Sequence, residues 1–236
     1  MSVAASVSIP YSPAVPDCCV LYAWRSKIIL SARASAACED AHVMHELVER
    51  GVRDDPALRP PGQQHTAYAA ERQPSEARRN CGLAGRPLSL LVQSAEEPDR
   101  GAQLRAGVVE GVRCERIRHT WRRGDRAEIQ VYASPLVKRH GTSGKVLLHS
   151  PEECRSWFRR HLERAGCKPL AKSILVSDPE SMRQRWQTIT LREFRATAKI
   201  ADPARFHELL VSGMGRNRAW GAGLVLASPA EPRGVQ

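Results

Sequence analysis

The order of strand and helix signals in the second half of the chain restricts the folds that this half can adopt. Apolar runs typical of strands recur there, and two stretches begin helices: Ser150-Pro151 followed by two glutamates, and Asp202-Pro203. The elements run in the order strand 145–148, helix 150–166, strand 172–176, strand 187–200, helix from Asp202 and strand 223–227. This βαββαβ order is that of a ferredoxin-like domain.

The first half is compatible with the same order. We expect a helix at 39–50 that ends at Gly51, an element at 101–123 that fits helix or strand, and strands at 24–30, 65–71, 88–94 and 127–135. The chain is therefore predicted to be an α+β protein with two tandem ferredoxin-like (RRM-like) domains. We place these domains at residues 24–140 and 141–229, followed by a tail at 230–236.

The first 23 residues show no helix or strand periodicity. They contain three prolines and no positive charge, which is unlike a secretory signal peptide. We expect a disordered N-terminal extension or a translation start placed too early.

The cysteines indicate a reducing compartment. Seven are scattered along the chain and none forms a C-x-x-C pair, so neither a disulfide framework nor a zinc ribbon is suggested. We expect a cytoplasmic protein. No apolar run approaches the ~20 residues that span a membrane, so no membrane partner is expected.

The charge favours a polyanionic partner. The formal net charge is +11, and clustered arginines bind phosphates well because the guanidinium group donates in a planar fork. A basic surface that serves only solubility is the alternative.

A glycine-rich stretch, GMGRNRAWGAGLVLA, follows the last expected helix and leads into the last strand. A dinucleotide-binding fingerprint runs in the opposite order, from strand through glycines to helix, so nucleotide binding is disfavoured. Two interpretations remain. The glycines allow the backbone to approach a long anion beside Arg216 and Arg218, or they allow tight packing against a neighbouring helix.

This stretch resembles the signature of the CRISPR-associated repeat endoribonucleases, and within them the CasE family. The matching residues are Gly213, Gly215, Arg218, Ala219, Trp220, Gly221, Gly223 and Leu224. Three further segments fit in order, at 90–94, 132–139 and 190–213, and the resemblance covers about residues 24–229.

The resemblance implies a metal-independent endoribonuclease without a cofactor. Such an enzyme cleaves precursor CRISPR RNA within repeat stem-loops by attack of the ribose 2′-hydroxyl, leaving a 2′,3′-cyclic phosphate and a 5′-hydroxyl. It then stays bound to the RNA with other subunits of the Cascade complex. The alternative is a stem-loop-binding subunit that does not cleave.

The family's catalytic histidine lies on the first helix in a pattern close to Y-x-x-H. By resemblance His45 takes the catalytic role, and His42 stands where tyrosine is frequent. Residues three apart share a helix face, so both imidazoles could reach one phosphate and divide the acid and base work. His42 could instead only orient the substrate.

A zinc site is a rival interpretation of the same residues. Cys38, His42 and His45 are zinc-competent, and His65 or Cys81 would have to supply a fourth ligand.

The candidate RNA contacts are mostly arginines of the second half, where a basic hairpin could follow the phosphates of an RNA stem. They are Arg183, Arg185, Arg192, Arg195, Arg216 and Arg218, with Gly213 and Gly215 in the loop and Lys138 and Arg139 after the 127–135 strand.

Overall fold

The structure is a computed structural model with side chains. It describes residues 16–38, 40–52, 67–71, 89–95, 97–98, 109–139, 141 and 143–230. In these residues no helix is both long enough and apolar enough to cross a bilayer.

The N-terminal half forms a four-stranded antiparallel sheet with helices on it. Its elements are β1 (Cys18–Leu30), α1 (Ala32–Ala37), α2 (Ala41–Val52), β2 (Ala67–Glu71), β3 (Ser89–Ser94) and β4 (Val109–Arg122). The strand order is β2-β3-β1-β4, and β4 pairs antiparallel with β1 over the full length of that strand. The predicted element at 101–123 is therefore a strand over Val109–Arg122, while residues 101–108 lie outside the described part of the chain.

The C-terminal half repeats the arrangement. Its elements are β5 (Arg126–Ala133), β6 (Leu136–Lys138), β7 (Lys145–Leu147), α3 (Pro151–Arg164), β8 (Cys167–Pro169), β9 (Leu175–Val176), β10 (Glu180–Gln184), β11 (Gln187–Ile200), α4 (Pro203–Ser212) and β12 (Val225–Pro229). The strand order is β10-β11-β5-β12, and β8 and β9 pair with β11 as well. Each half thus has the ferredoxin-like strand order, as predicted.

The first strand of the C-terminal unit is β5, and the assignment of that role to residues 145–148 was wrong. Among the described strands, Lys145–Leu147 pairs only with β6, as a two-stranded hairpin outside the main sheet. The physical reason is burial: Ala127, Ile129, Val131 and Ala133 alternate at 0–1% exposure along β5, the pattern of a central strand. The chain therefore changes sheets at the β4–β5 turn, before the expected domain limit at residue 140.

The expectation that residues 1–23 form an extension outside the fold was wrong for residues 18–23. Strand β1 begins at Cys18, and Leu21 and Ala23 are 4% and 5% exposed in the core. The sequence shows no regular alternation of buried and exposed residues across β1, because the strand changes the face that it buries. The buried residues are Leu21 and Ala23 first, and then Ser26, Ile28 and Leu30. Residues 1–15 lie outside the described residues.

The helix starts of the C-terminal half follow the sequence signals. The hydroxyl of Ser150 accepts from the N–H groups of Glu152 and Glu153, and the carboxylate of Asp202 accepts from those of Ala204 and Arg205. Proline occupies the first turn of both helices, where its missing N–H costs no hydrogen bond.

Two hydrophobic cores stabilise the molecule, and each takes residues from both halves. The larger packs Phe158, Phe194 and Phe206 with Trp121 of β4. The smaller packs Ile28, Leu30, Met44 and Leu90 of the N-terminal half with Met182, Ile189, Leu191 and Ala222 of the C-terminal half. The two halves are therefore held together by apolar packing.

Candidate active site

Helix α2 places both candidate catalytic histidines at the junction of the two halves. Its residues Met44 and Val48 are each 1% exposed in the smaller core. His42 and His45 are partly exposed and lie beside the chain that follows α4. The helix therefore turns its apolar face inward and offers both imidazoles at the molecular surface.

Trp220 of the glycine-rich stretch contacts both imidazoles. Its ring centroid lies 5.8 Å from that of His42 and 5.3 Å from that of His45, the latter in an edge-on arrangement. Trp220 belongs to a single 3-10 turn, Arg218–Trp220, and packs against the smaller core. The indole ring thus limits the orientations open to the two imidazoles.

Asp40 connects α2 to the β10–β11 hairpin. One carboxylate oxygen accepts from the N–H of His42 at 2.8 Å, and the other accepts from the N–H of Arg185 at 3.0 Å. The hydrogen bond from His42 is the main cause that holds the pKa of Asp40 below its ordinary value, with a smaller contribution from Arg185. Asp40 is therefore an N-cap whose side chain also binds the other half of the molecule.

The guanidinium of Arg185 reaches the ring of His42. Its Nη2 contacts His42 Nε2, and Glu46 Oε1 lies 3.1 Å from the same nitrogen. Arginine only donates and a carboxylate only accepts, so Nε2 satisfies one of them at a time. The other ring nitrogen, Nδ1, is buried with no hydrogen-bond partner among the described residues. His42 is thus engaged by charged neighbours before any substrate is present.

The predicted RNA contacts fall into two groups. Arg183 and Arg185 lie on the hairpin beside α2, and the backbone of Arg183 forms an isolated β-bridge with that of Asp40. The exposed group elsewhere in the C-terminal half includes Arg195, which pairs with Glu193 at 2.6 Å, and Arg139, which pairs with Glu153 at 3.0 Å. Lys138 and Arg216 are also exposed, the first on β6 and the second after α4.

Arg192 is an exception, and the structure contradicts its assignment as a surface contact. The residue is only 6% exposed, and its guanidinium donates to the backbone carbonyls of Ser177 and His149 at 2.7 and 2.9 Å. Alternation along β11 turns it into the protein, whereas Arg195 is turned outward. Arg192 therefore holds two loops together.

The glycines of the loop approach the protein's own chain. A Cβ on Gly213 would lie 2.5 Å from the carbonyl oxygen of Gly223, and one on Gly223 would lie 2.3 Å from that of Met214. Gly215 faces the ring of Trp157 at 3.5 Å. Arg218 donates to the carbonyl of Ser212. A close approach of the chain to itself thus accounts for Gly213, and the contact of Gly213 and Gly215 with RNA stays a prediction.

The residues of the zinc alternative are only partly described. Cys38 is 4% exposed in the smaller core, and burial raises the pKa of its thiol to about 11. Within the described ranges, no three His, Cys, Asp or Glu side chains are grouped so that they could hold a metal ion. His65 and Cys81, the proposed fourth ligands, lie outside those ranges.

Sequence reasoning missed Asp40 and Glu46 and gave Trp220 no role in the site. Asp40 carried a usable signal, because aspartate before a helix is a preferred N-cap. The signal was lost because the helix was expected to begin at Glu39. The position of Trp220 beside α2 follows only from the folding of the two halves onto each other.

Solved structures share this fold. Thermus thermophilus Cse3 bound to an RNA representing a pre-cleavage complex matches with a TM-score of 0.75 and 22% identity, over 89% of this chain and 100% of that one. The CRISPR-associated protein Cas6e from Escherichia coli K-12 matches with a TM-score of 0.63 and 17% identity, over 88% and 100%. A chain of a CRISPR RNA-guided surveillance complex matches with a TM-score of 0.62 and 20% identity, over 88% and 100%.

The family follows from the sequence match. No curated protein sequence matches the chain. A family model described as CRISPR associated protein matches residues 23–229. That match spans most of the chain, so the protein belongs to this family of CRISPR-associated proteins, as the resemblance of its glycine-rich stretch implied.

Proposed function

We propose that the protein is a metal-independent endoribonuclease that cleaves precursor CRISPR RNA within repeat stem-loops. The observation that carries the proposal is the convergence of His42, His45 and Arg185 at one surface point, where two halves of the chain meet. Imidazole groups transfer protons near neutral pH and a guanidinium binds phosphate, which are the requirements of RNA cleavage by its own 2′-hydroxyl.

In the proposed reaction the ribose 2′-oxygen attacks the adjacent phosphorus atom and loses its proton to a nitrogen base. The bond from phosphorus to the 5′-oxygen breaks, and that oxygen takes a proton from an acid. The products are a 2′,3′-cyclic phosphate and a 5′-hydroxyl. His45 is the imidazole that takes part in these proton transfers in this proposal, because the Nε2 atom of His42 already faces Arg185 and Glu46.

His42 is proposed to position Arg185. A guanidinium held beside the scissile phosphate would stabilise the extra negative charge of the phosphorane, the largest change of charge in the reaction. When RNA arrives, the phosphate would compete with His42 for that guanidinium. We assign His42 a positioning role because its Nε2 atom contacts the guanidinium of Arg185.

RNA binding is proposed to use the exposed cations of the C-terminal half. Arg183 and Arg185 lie nearest α2, and Arg195, Arg216, Arg218, Lys138 and Arg139 would follow the stem. After cleavage the protein is proposed to keep the product as a subunit of Cascade in the cytoplasm. The matched structures, which include RNA-bound Cse3 and a surveillance complex, support this assignment.

A cleavage assay tests the proposal. The organism's own repeat hairpin should be cut in excess EDTA, and cutting should stop when the 2′-hydroxyl at the cleavage position is replaced by hydrogen. Cleavage of the deoxy-substituted RNA would contradict the mechanism. Tight binding of both RNAs without cleavage of either would favour the alternative, a binding subunit that does not cut.

A further inference from the structure

The tip of the β10–β11 hairpin carries a tryptophan that is almost fully exposed. Trp186 has 97% of its surface open, whereas the next most exposed large apolar side chain among the described residues is Leu175 at 62%. Tryptophan side chains are large and, on average, highly buried. A tryptophan with nearly all of its surface in water is therefore uncommon. Within the described part of the chain, no side chain covers this ring.

The turn that presents Trp186 is held in place. Its two residues, Arg185 and Trp186, join β10 to β11, and Arg185 has a φ of 44°, a left-handed conformation usually given to glycine in such turns. The carboxylate of Asp40 accepts from the N–H of Arg185 at 3.0 Å. Strained residues kept by their surroundings concentrate at functional sites. The indole is thus displayed from an anchored turn.

Two arginines lie close to Trp186 in the sequence, and one of them is at the candidate active site. Arg183 is on the same hairpin, and the guanidinium of Arg185 reaches His42 of α2. Adjacent Cα atoms are about 3.8 Å apart, so Trp186 starts next to the residue that contacts His42. Exposed aromatic rings among arginines are the common means of binding unpaired nucleobases, because each base has a face on which to stack.

We propose that Trp186 is a stacking platform for an unpaired nucleobase next to the scissile phosphate. This inference rests on the proposed endoribonuclease function and deepens it. Arg185 binds the phosphate on one side of the turn, and Trp186 covers the base of the adjoining nucleotide on the other. Arg185 and Trp186 together fix the bend of the RNA strand at the cleavage position. The platform therefore selects substrates that have an unpaired base next to the scissile phosphate.

The test compares two hairpins, both with a deoxy nucleotide at the cleavage position so that binding is measured without cutting. One has the natural flanking base and the other has an abasic site in its place. Trp186→Ala should bind the natural hairpin roughly 5- to 150-fold more weakly than the unchanged protein. Trp186→Phe should keep most of the affinity, and the abasic hairpin should bind equally to all three proteins.

The control is Tyr22→Ala, which removes another exposed ring, on β1, and should bind both hairpins like the unchanged protein. Two outcomes would overturn the inference: equal affinity of Trp186→Ala and the unchanged protein for the natural hairpin, or the same loss on both hairpins. A Trp186→Ala protein that binds RNA normally but fails to join the assembled complex would assign the ring to a protein partner instead. Cleavage of unmodified RNA by the unchanged protein is measured first, since its absence would reject the proposed function rather than the platform.

Discussion

The two halves of the molecule share a topology and differ in what stabilises them. All three phenylalanines of the chain lie in the larger core, with the C-terminal sheet and its helices. The smaller core around α2 is mostly aliphatic, and it includes Met182, Ile189 and Leu191 from the C-terminal strands. The N-terminal half therefore does not complete its own core. Repetition of a fold does not make two equivalent units.

The N-caps of the helices also differ between the two halves. The N-caps of helices α3 and α4 are Ser150 and Asp202, each followed by proline, and each cap serves its own helix. The N-cap of helix α2 is Asp40, whose carboxylate is shared with Arg185 of the hairpin. The helix with the candidate catalytic residues is thus oriented by the C-terminal half, while the scaffold helices are locally specified.

Substitution of His45 gives the clearest test of whether the two halves have different roles, one in chemistry and one in RNA binding. If the chemistry resides on α2 and the binding in the C-terminal half, His45→Ala should lower the cleavage rate by ~10²–10⁴-fold or more, because one proton transfer is lost. Affinity for the repeat hairpin should be unchanged in a binding measurement with the deoxy-substituted RNA.

His149→Ala is the matched control, since His149 is exposed in the C-terminal half and its backbone carbonyl, which binds Arg192, remains. It should cleave normally. A His45→Ala protein that cuts at the unchanged rate would overturn the proposed function.

Removing Leu191 tests the dependence of the small core on the C-terminal half. Leu191 is fully buried there, so Leu191→Ala should lower the free energy of unfolding by about 2–5 kcal/mol. Hydrogen exchange should become faster at the backbone amides of α2, although the substitution lies on β11.

Leu175→Ala is the control for that experiment, because Leu175 is exposed on β9 and such changes stay within about ±0.5 kcal/mol. Exchange in α2 that stays slow after Leu191→Ala would show that the N-terminal half is stable by itself.

The smallest expected effect concerns Asp40. Loss of an N-cap costs about 1 kcal/mol, so Asp40→Ala should slightly lower the unfolding temperature and loosen the hairpin from α2. The folded-state pKa of Asp40 lies below its unfolded value of about 3.9. Its contribution is therefore complete above that pH and is lost as the pH falls through the folded pKa.

Unfolding measured from pH 2 to 6 checks this prediction. The difference between Asp40→Ala and the unchanged protein should shrink toward low pH. Asp40→Asn, which keeps a capping oxygen, should retain more stability at neutral pH. A difference that stays constant with pH would mean that the carboxylate charge contributes nothing.

The sequence alone determined the fold class, the family and several elements. The helix starts at Ser150 and Asp202 were predictable because a cap, a proline and an apolar stripe act within a few residues. Strand β11 was predicted with its observed bounds, 187–200, because its alternation is long and regular. The glycine-rich stretch identified the family. The roles of His42 and His45 remain predictions from that resemblance.

The tertiary structure decided which strand belongs to which sheet and what surrounds the histidines. Strand β5 joins the C-terminal sheet, Arg192 turns inward, and β1 starts at Cys18, since these outcomes depend on partners far along the chain. The contacts of Asp40 and His42 with Arg185 span 145 and 143 residues. Local patterns report only on neighbours within a few residues, and long-range contacts of this kind arise only when the two halves pack together.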